Sequence, residues 1–138
     1  MKPVVLLDCT LRDGGYYNSW DFSQALIEDY LQAMQSIGAE YVELGLRSLN
    51  KEGFKGGCAY TTDSFVRSLS IPDGLKLAVM INASEIVGQQ DSLQSRLQRM
   101  FAAAVESPIT LVRIACHVHE FEAALPAATG RKEKGYKV

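Results

Sequence analysis

The sequence predicts an α/β fold with parallel strands, and three features carry that reading. Short apolar runs recur along the chain, segments of helical apolar period separate them, and turn-forming residues punctuate the joins. Strand, helix and strand in that order is the pattern of a right-handed crossover unit, which makes the sheet parallel. The alternation repeats about four times, giving four βα units in 138 residues.

Val4, Val5, Leu6 and Leu7 form the first run, which reads as a buried strand ending at Asp8. The following residues, through Gly14 and Gly15, read as a sharp turn because glycine lets the backbone bend and approach a ligand closely. Asp21 and Gln24 have the spacing of a capping box. Phe22, Leu26, Tyr30, Met34 and Ile37 then recur at helical period up to Gly38. Residues 41–46 read as a second strand rich in β formers. From 47 to 61 the period is lost and Gly53, Gly56 and Gly57 accumulate, the composition of a long and therefore functional loop.

Thr62 opens a short helix through Leu69 that Pro72 ends, and residues 75–81 form a third strand. Asp91 or Ser92 caps a helix carrying Leu93, Leu97, Met100, Phe101, Ala104 and Val105, and residues 110–115 form a fourth strand. A last helical stretch, 119–134, is interrupted by Pro126 and Gly130. Tyr136, Lys137 and Val138 then read as the start of a fifth strand.

Composition excludes several classes. With 47% hydrophobic and 22% charged residues, the chain has the makeup of an ordinary globular domain. The net charge of -2 comes without a basic stripe, so nucleic acid is not an expected partner. The three cysteines, Cys9, Cys58 and Cys116, are widely spaced and form no C-x-x-C pair, which suggests neither a disulfide framework nor a zinc ribbon. The apolar run after Lys2 and Pro3 is too short for a signal peptide core. Nothing approaches the ~20 apolar residues of a spanning helix, so no membrane partner is expected and the expected location is the cytoplasm.

The chemistry concentrates where the first strand ends. Ligands of parallel sheets collect at the carboxyl ends of strands, and Arg12 and Asp13 sit there. Arginine is always charged and holds an oxyanion; a carboxylate ligates a hard divalent cation such as Mg or Mn. Together they suit an enolate, because a metal polarises the carbonyl and a fixed cation offsets the charge that develops on its oxygen. An Arg and an Asp in an ordinary surface turn is the plainer alternative.

The string Asp8-Cys9-Thr10-Leu11-Arg12-Asp13-Gly14-Gly15 resembles the D-x-T-L-R-D-G signature of a metal-dependent superfamily of aldolases, lyases and synthases. That superfamily includes 4-hydroxy-2-oxovalerate aldolase, hydroxymethylglutaryl-CoA lyase and 2-isopropylmalate synthase. The continuation through Tyr16, Tyr17, Asn18, Ser19, Trp20, Asp21 and Phe22 is most similar to its poorly characterised aldolase-domain branch. The resemblance implies a TIM (β/α)8 barrel, with Arg12 on the enolate oxygen and Asp13 on the metal. A complete barrel takes roughly 250 residues, so residues 1–138 are expected to form its amino-terminal half, a fragment of the catalytic domain.

One departure bears on the reaction. Where the pyruvate aldolases carry a histidine base, and the synthases and lyase a glutamine, this chain has Tyr16. A tyrosine with an ordinary pKa of about 10 donates a hydrogen bond to a substrate oxygen but is a poor base at neutral pH. Packing as an aromatic lid is its alternative role.

Further candidates lie on the later strands. Glu43, inside an apolar strand, requires a cation; the resemblance implies that it orients Arg12 or serves in the site, and an ion pair with a purely structural role is the alternative. Arg47 and Ser48 follow at the strand's end, where Arg47 is a candidate for a substrate carboxylate or phosphate. Asn82, just past the third strand, and Arg113, within the fourth, are candidate substrate contacts, and Arg113, a charge among Leu111, Val112, Ile114 and Ala115, requires a partner or a polar barrel interior. His117 and His119 form an H-x-H pair, but the superfamily's metal-binding pair comes from a later strand, so His117 is expected to contact substrate or pack in its loop. Cys9, in a buried strand, is expected to pack. Trp20, with Tyr16 and Tyr17, reads as a hydrophobic staple or an aromatic wall.

The expected activity is that of a carbon–carbon lyase or aldolase on a 2-oxo acid, a small-molecule substrate, with Mn or Mg. The alternatives are a Claisen-type acyl-CoA condensing enzyme and a non-catalytic half-barrel. Two open sheet edges and an apolar inner face would favour pairing of such a half-barrel with a second copy.

Overall fold

The computed structural model describes residues 3–138. Strands β1 (Leu7–Asp8), β2 (Tyr41–Leu46), β3 (Lys76–Asn82) and β4 (Ile109–Ala115) form one parallel sheet in the order β1-β2-β3-β4. Strands adjacent in space are adjacent in sequence, so each connection crosses over and carries helix: α1 (Thr10–Asn18) and α2 (Gln24–Ser36), α3 (Asp63–Arg67), then α4 (Leu93–Met100). Helix α5 (Phe121–Glu133) follows β4. The sheet then continues as the sequence suggested: Lys137 pairs in parallel with Leu111, donating to Thr110 O and accepting from Val112 N, both at 2.9 Å.

The core lies between the sheet and the helices. All six residues of β2 are buried, as befits a central parallel strand covered on both faces. Val42, Leu44, Val79, Ile81, Ile109 and Val112 pack with Ile27 and Leu31 of α2, Val66 of α3 and Leu97 of α4. Burial of each such side chain contributes about 1.5–3 kcal/mol.

Several local expectations are corrected. The motif is not a turn, because Thr10–Asn18 is helical and contains both Gly14 and Gly15. Asp8 starts that helix, accepting from the Thr10 amide at 3.0 Å and the Thr10 hydroxyl at 2.9 Å. The buried first strand also shrinks. Val4, Val5 and Leu6 are exposed, since β1 is a short edge strand whose neighbour is β2 alone.

Helix α2 is capped by Ser23, whose hydroxyl accepts from the Leu26 amide, rather than by an Asp21–Gln24 box. Its buried stripe centres on Ile27 and Leu31, while Leu26 and Ile37 face solvent. The loop after β2 is partly internal, with a single 3-10 turn at Gly57–Ala59 burying Cys58 and Ala59 against the sheet. Gly45 makes this possible: a Cβ there would lie 1.8 Å from Cys58 O.

Ser92 is the cap of α4, which stops at Met100. Phe101 is already extended, and Val105 is exposed in a separate short turn. Pro126 and Gly130 do not interrupt α5. Pro126 is the sixth residue of the helix, where its missing N–H deprives only the carbonyl of exposed Glu122.

Candidate active site

Helix α1 starts immediately beyond β1 and carries Arg12 and Asp13 at the carboxyl end of the sheet. Arg12 points toward β2, where its Nε donates to Glu43 Oε1 at 2.8 Å, and its Nη1 lies 2.5 Å from Asp13 Oδ1. Arg113 arrives from β4 and closes on the same carboxylate, Nε donating to Oε2 at 2.6 Å and Nη2 to Oε1 at 2.8 Å. Glu43 is fully buried, and two guanidiniums from opposite sides satisfy it.

The electrostatics follow from that arrangement. Burial works against the Arg12 charge, but the hydrogen bond and negative charge of Glu43 outweigh it and hold the guanidinium above the ordinary arginine range. The Glu43 hydrogen bond likewise raises Arg113, against a smaller opposing effect of burial. Both arginines therefore stay charged and act as fixed cations, not proton donors.

Asp13 is the exposed member of the group, its side chain 58% accessible. Its second oxygen accepts from the Cys9 thiol at 3.4 Å, and burial, reinforced by this contact, pushes the Cys9 thiol up. The packing role expected of Cys9 thus becomes a contact with the carboxylate one helical turn away. A turn at the motif does not imply that contact; the helix makes it, by setting residues four apart side by side.

Trp20 fixes the backbone of α1. Ser19 and Trp20 adopt φ of 58° and 56°, which turns the chain back so that the buried indole lies over Gly15 and its Nε1 donates to Arg12 O at 2.9 Å. A Cβ on Gly15 would lie 1.9 Å from Trp20 Cδ1. Trp20 is therefore neither a staple nor a wall; it clamps the helix that presents Arg12. Tyr16, one turn beyond Arg12, is exposed and packs edge-on against Trp20 with ring centroids 4.7 Å apart.

The remaining candidates divide. Asn82 ends β3 half-buried, beside Ala115 of β4. His117 begins the short turn after β4, where its amide donates to Glu120 Oε2 at 2.9 Å and its ring stacks on His119. The H-x-H pair is thus built into a cap. Arg47 does not join the Glu43 cluster. Its guanidinium is buried on the α3 and α4 side, donating to Thr61 O at 2.6 and 3.1 Å, to Asp63 Oδ1 at 2.7 Å and to Met100 O at 3.3 Å. Strict alternation would put Glu43 and Arg47, four residues apart, on one face; the irregularity between Glu43 and Gly45 breaks that register, and Arg47, just past the end of β2, turns to the other side.

Among the described residues, no group of three His, Cys, Asp or Glu side chains is gathered to hold a metal ion. No helix among them is long and apolar enough to cross a membrane.

Neither protein-family models nor curated proteins match the chain. Among solved structures, the N-terminal domain of a "putative aldolase" from Bacteroides vulgatus is similar to it, with a TM-score of 0.83 and 29% sequence identity. The similarity covers 96% of this chain and 42% of that one, so the chain spans less than half the length of its structural relative. The fold is aldolase-like: α/β, with four parallel strands matching part of that protein.

Proposed function

We propose that the chain supplies the arginine and carboxylate part of a carbon–carbon lyase or aldolase site acting on a 2-oxo acid through an enolate. The observation that carries this reading is the Arg12 guanidinium, locked by buried Glu43 beside the exposed Asp13 carboxylate at the carboxyl end of β1. The similarity to a protein described as an aldolase supports it.

Asp13 fits a divalent cation, Mn or Mg, as one hard oxygen ligand. Each of its oxygens has one neighbour, Arg12 or Cys9, and a carboxylate oxygen has capacity for two. It contributes a single ligand, and the rest of the coordination comes from outside the group described. When bound, such a cation supplies Lewis-acid polarisation of a substrate carbonyl.

The chain's own residues do the rest. Arg12 spends Nε on Glu43 and Nη1 on Asp13, leaving Nη2 to donate to the oxygen that becomes negative as the enolate forms. Arg113 spends Nε and Nη2 on Glu43 and keeps Nη1 for a substrate carboxylate. Glu43 positions both arginines and touches no substrate in this scheme. Asn82 and His117 lie at the same end of the sheet, where they contact the substrate's polar groups. Tyr16 donates a hydrogen bond from the exposed end of α1.

The test is cleavage of a 4-hydroxy-2-oxo acid by the active enzyme that contains this chain, with Mn present and release of the 2-oxo acid product followed. Replacing Arg12 by Ala lowers turnover about a hundredfold or more, the usual cost of an oxyanion donor, with helical circular dichroism retained. Undiminished turnover overturns the assignment. Release of a free CoA thiol from an acyl-CoA would instead assign a condensing reaction.

A further inference from the structure

A cavity of about 750 Å³ lies away from the arginine pair, on the side of β2 to which Arg47 turns. Its lining residues all fall between Arg47 and Ala102, so it is built within the segment from the end of β2 to just past α4. The volume is that of a site for a small organic ligand.

The lining has a definite chemistry. Three aromatic rings, Tyr60, Phe65 and Phe101, contribute to it, and the Arg47 guanidinium lies 4.9 Å from the centre of the Phe101 ring. Three cations line it, Arg47, Lys51 and Arg99, against one carboxylate, Asp63. Arg47 and the Ser107 hydroxyl already engage Asp63. Arg99 pairs with Asp91 outside the cavity, and among the described residues no carboxylate pairs with Lys51. Aromatic walls favour a flat ring, and the excess of cations favours an anionic substituent on it.

We propose that this cavity binds an aromatic carboxylic acid, with the ring against Tyr60 and Phe65 and the carboxylate toward Lys51. The site is separate from the proposed reaction centre, because Glu43 faces Arg12 and Arg113 while Arg47 faces α3 and α4. Its occupant need not be the substrate.

Two probes of equal shape test this: 2-naphthoate and the neutral 2-naphthamide, titrated into the isotopically labelled chain and followed by amide chemical shifts. Naphthoate gives saturable shifts centred on Tyr60, Ser64 and Phe65, and naphthamide binds about tenfold more weakly, the effect of one favourable charge contact. Lys51→Glu, at an exposed position, removes that preference while leaving naphthamide binding unchanged. Equal binding of the two probes overturns the proposal. So do a Lys51→Glu variant that still prefers naphthoate, and shifts confined to other surfaces or absent.

Discussion

Arg113 closes on Glu43 through hydrogen bonds of 2.6 and 2.8 Å across a sequence separation of 70 residues. The pair joins β4 to β2 over the intervening β3, and Arg12 completes it from α1. One buried carboxylate thereby sets the positions of two cations from different parts of the fold.

Glu43→Gln is the direct test of that arrangement. It removes the negative charge and leaves two guanidiniums facing each other. The loss of a buried partner costs several kcal/mol in enclosed sites, and the partial exposure of Arg113 reduces this to about 3 kcal/mol. Urea denaturation should show a lower midpoint at unchanged slope. A midpoint equal to that of the parent would mean that the carboxylate does not hold the arginines in solution.

Gly14 and Gly15, adjacent in the motif, should respond oppositely to alanine. At Gly15 the new methyl group collides with the Trp20 ring, at a cost of about 1–3 kcal/mol. Trp20 is the chain's single tryptophan, so its emission should move to longer wavelength as the indole is displaced. At Gly14 the nearest atom lies 3.9 Å away, and alanine should stabilise the helix by about 0.5–1 kcal/mol. Thermal melts of the two variants check the contrast.

Tyr30 donates to Asp8 and is pushed up to about 12 by burial first and by that hydrogen bond second. An unfolded tyrosine ionises near 10. The fold thus favours the neutral phenol, and the stability it contributes is complete below about pH 10 and is lost as pH rises toward 12. Burial raises Cys58 to about 12 as well, so the parent has a second alkaline loss. Comparing denaturant midpoints at pH 9 and pH 11.5 for the parent and Tyr30→Phe isolates the tyrosine. The variant should lose less stability over the interval, and identical losses would show that the fold does not raise the Tyr30 phenol.

Arg131, on α5, is 1% exposed, and its three guanidinium nitrogens have no hydrogen-bond partner among the described residues. Burial lowers its pKa, and its guanidinium lies 5.4 Å from the centre of the Phe101 ring. Arg131→Met keeps most of the volume and removes the unsatisfied donors, so it should raise stability by about 1–2 kcal/mol in equilibrium unfolding. A destabilised variant would show that the stacking on Phe101 outweighs the desolvation of the charge.

The sequence by itself determined the alternation of strands and helices, because apolar period is a local property that survives without tertiary contacts. Residues 41–46 matched the strand Tyr41–Leu46, and Lys137 pairs at the position read as a fifth strand. It also showed that Glu43 needed a cation and that Arg113 needed either a partner or a polar interior, since a charge in an apolar strand is costly alone.

Only the tertiary structure decided that these two residues satisfy each other, for register and strand order fix which side chains meet. It turned Arg47 away from them, because an irregularity in β2 and the packing of α3 and α4 set its face. It also made a helix of the Gly14-Gly15 segment. Glycine's poor helix propensity argued against that locally, but the indole of Trp20 fills the space that any larger residue at Gly15 would need.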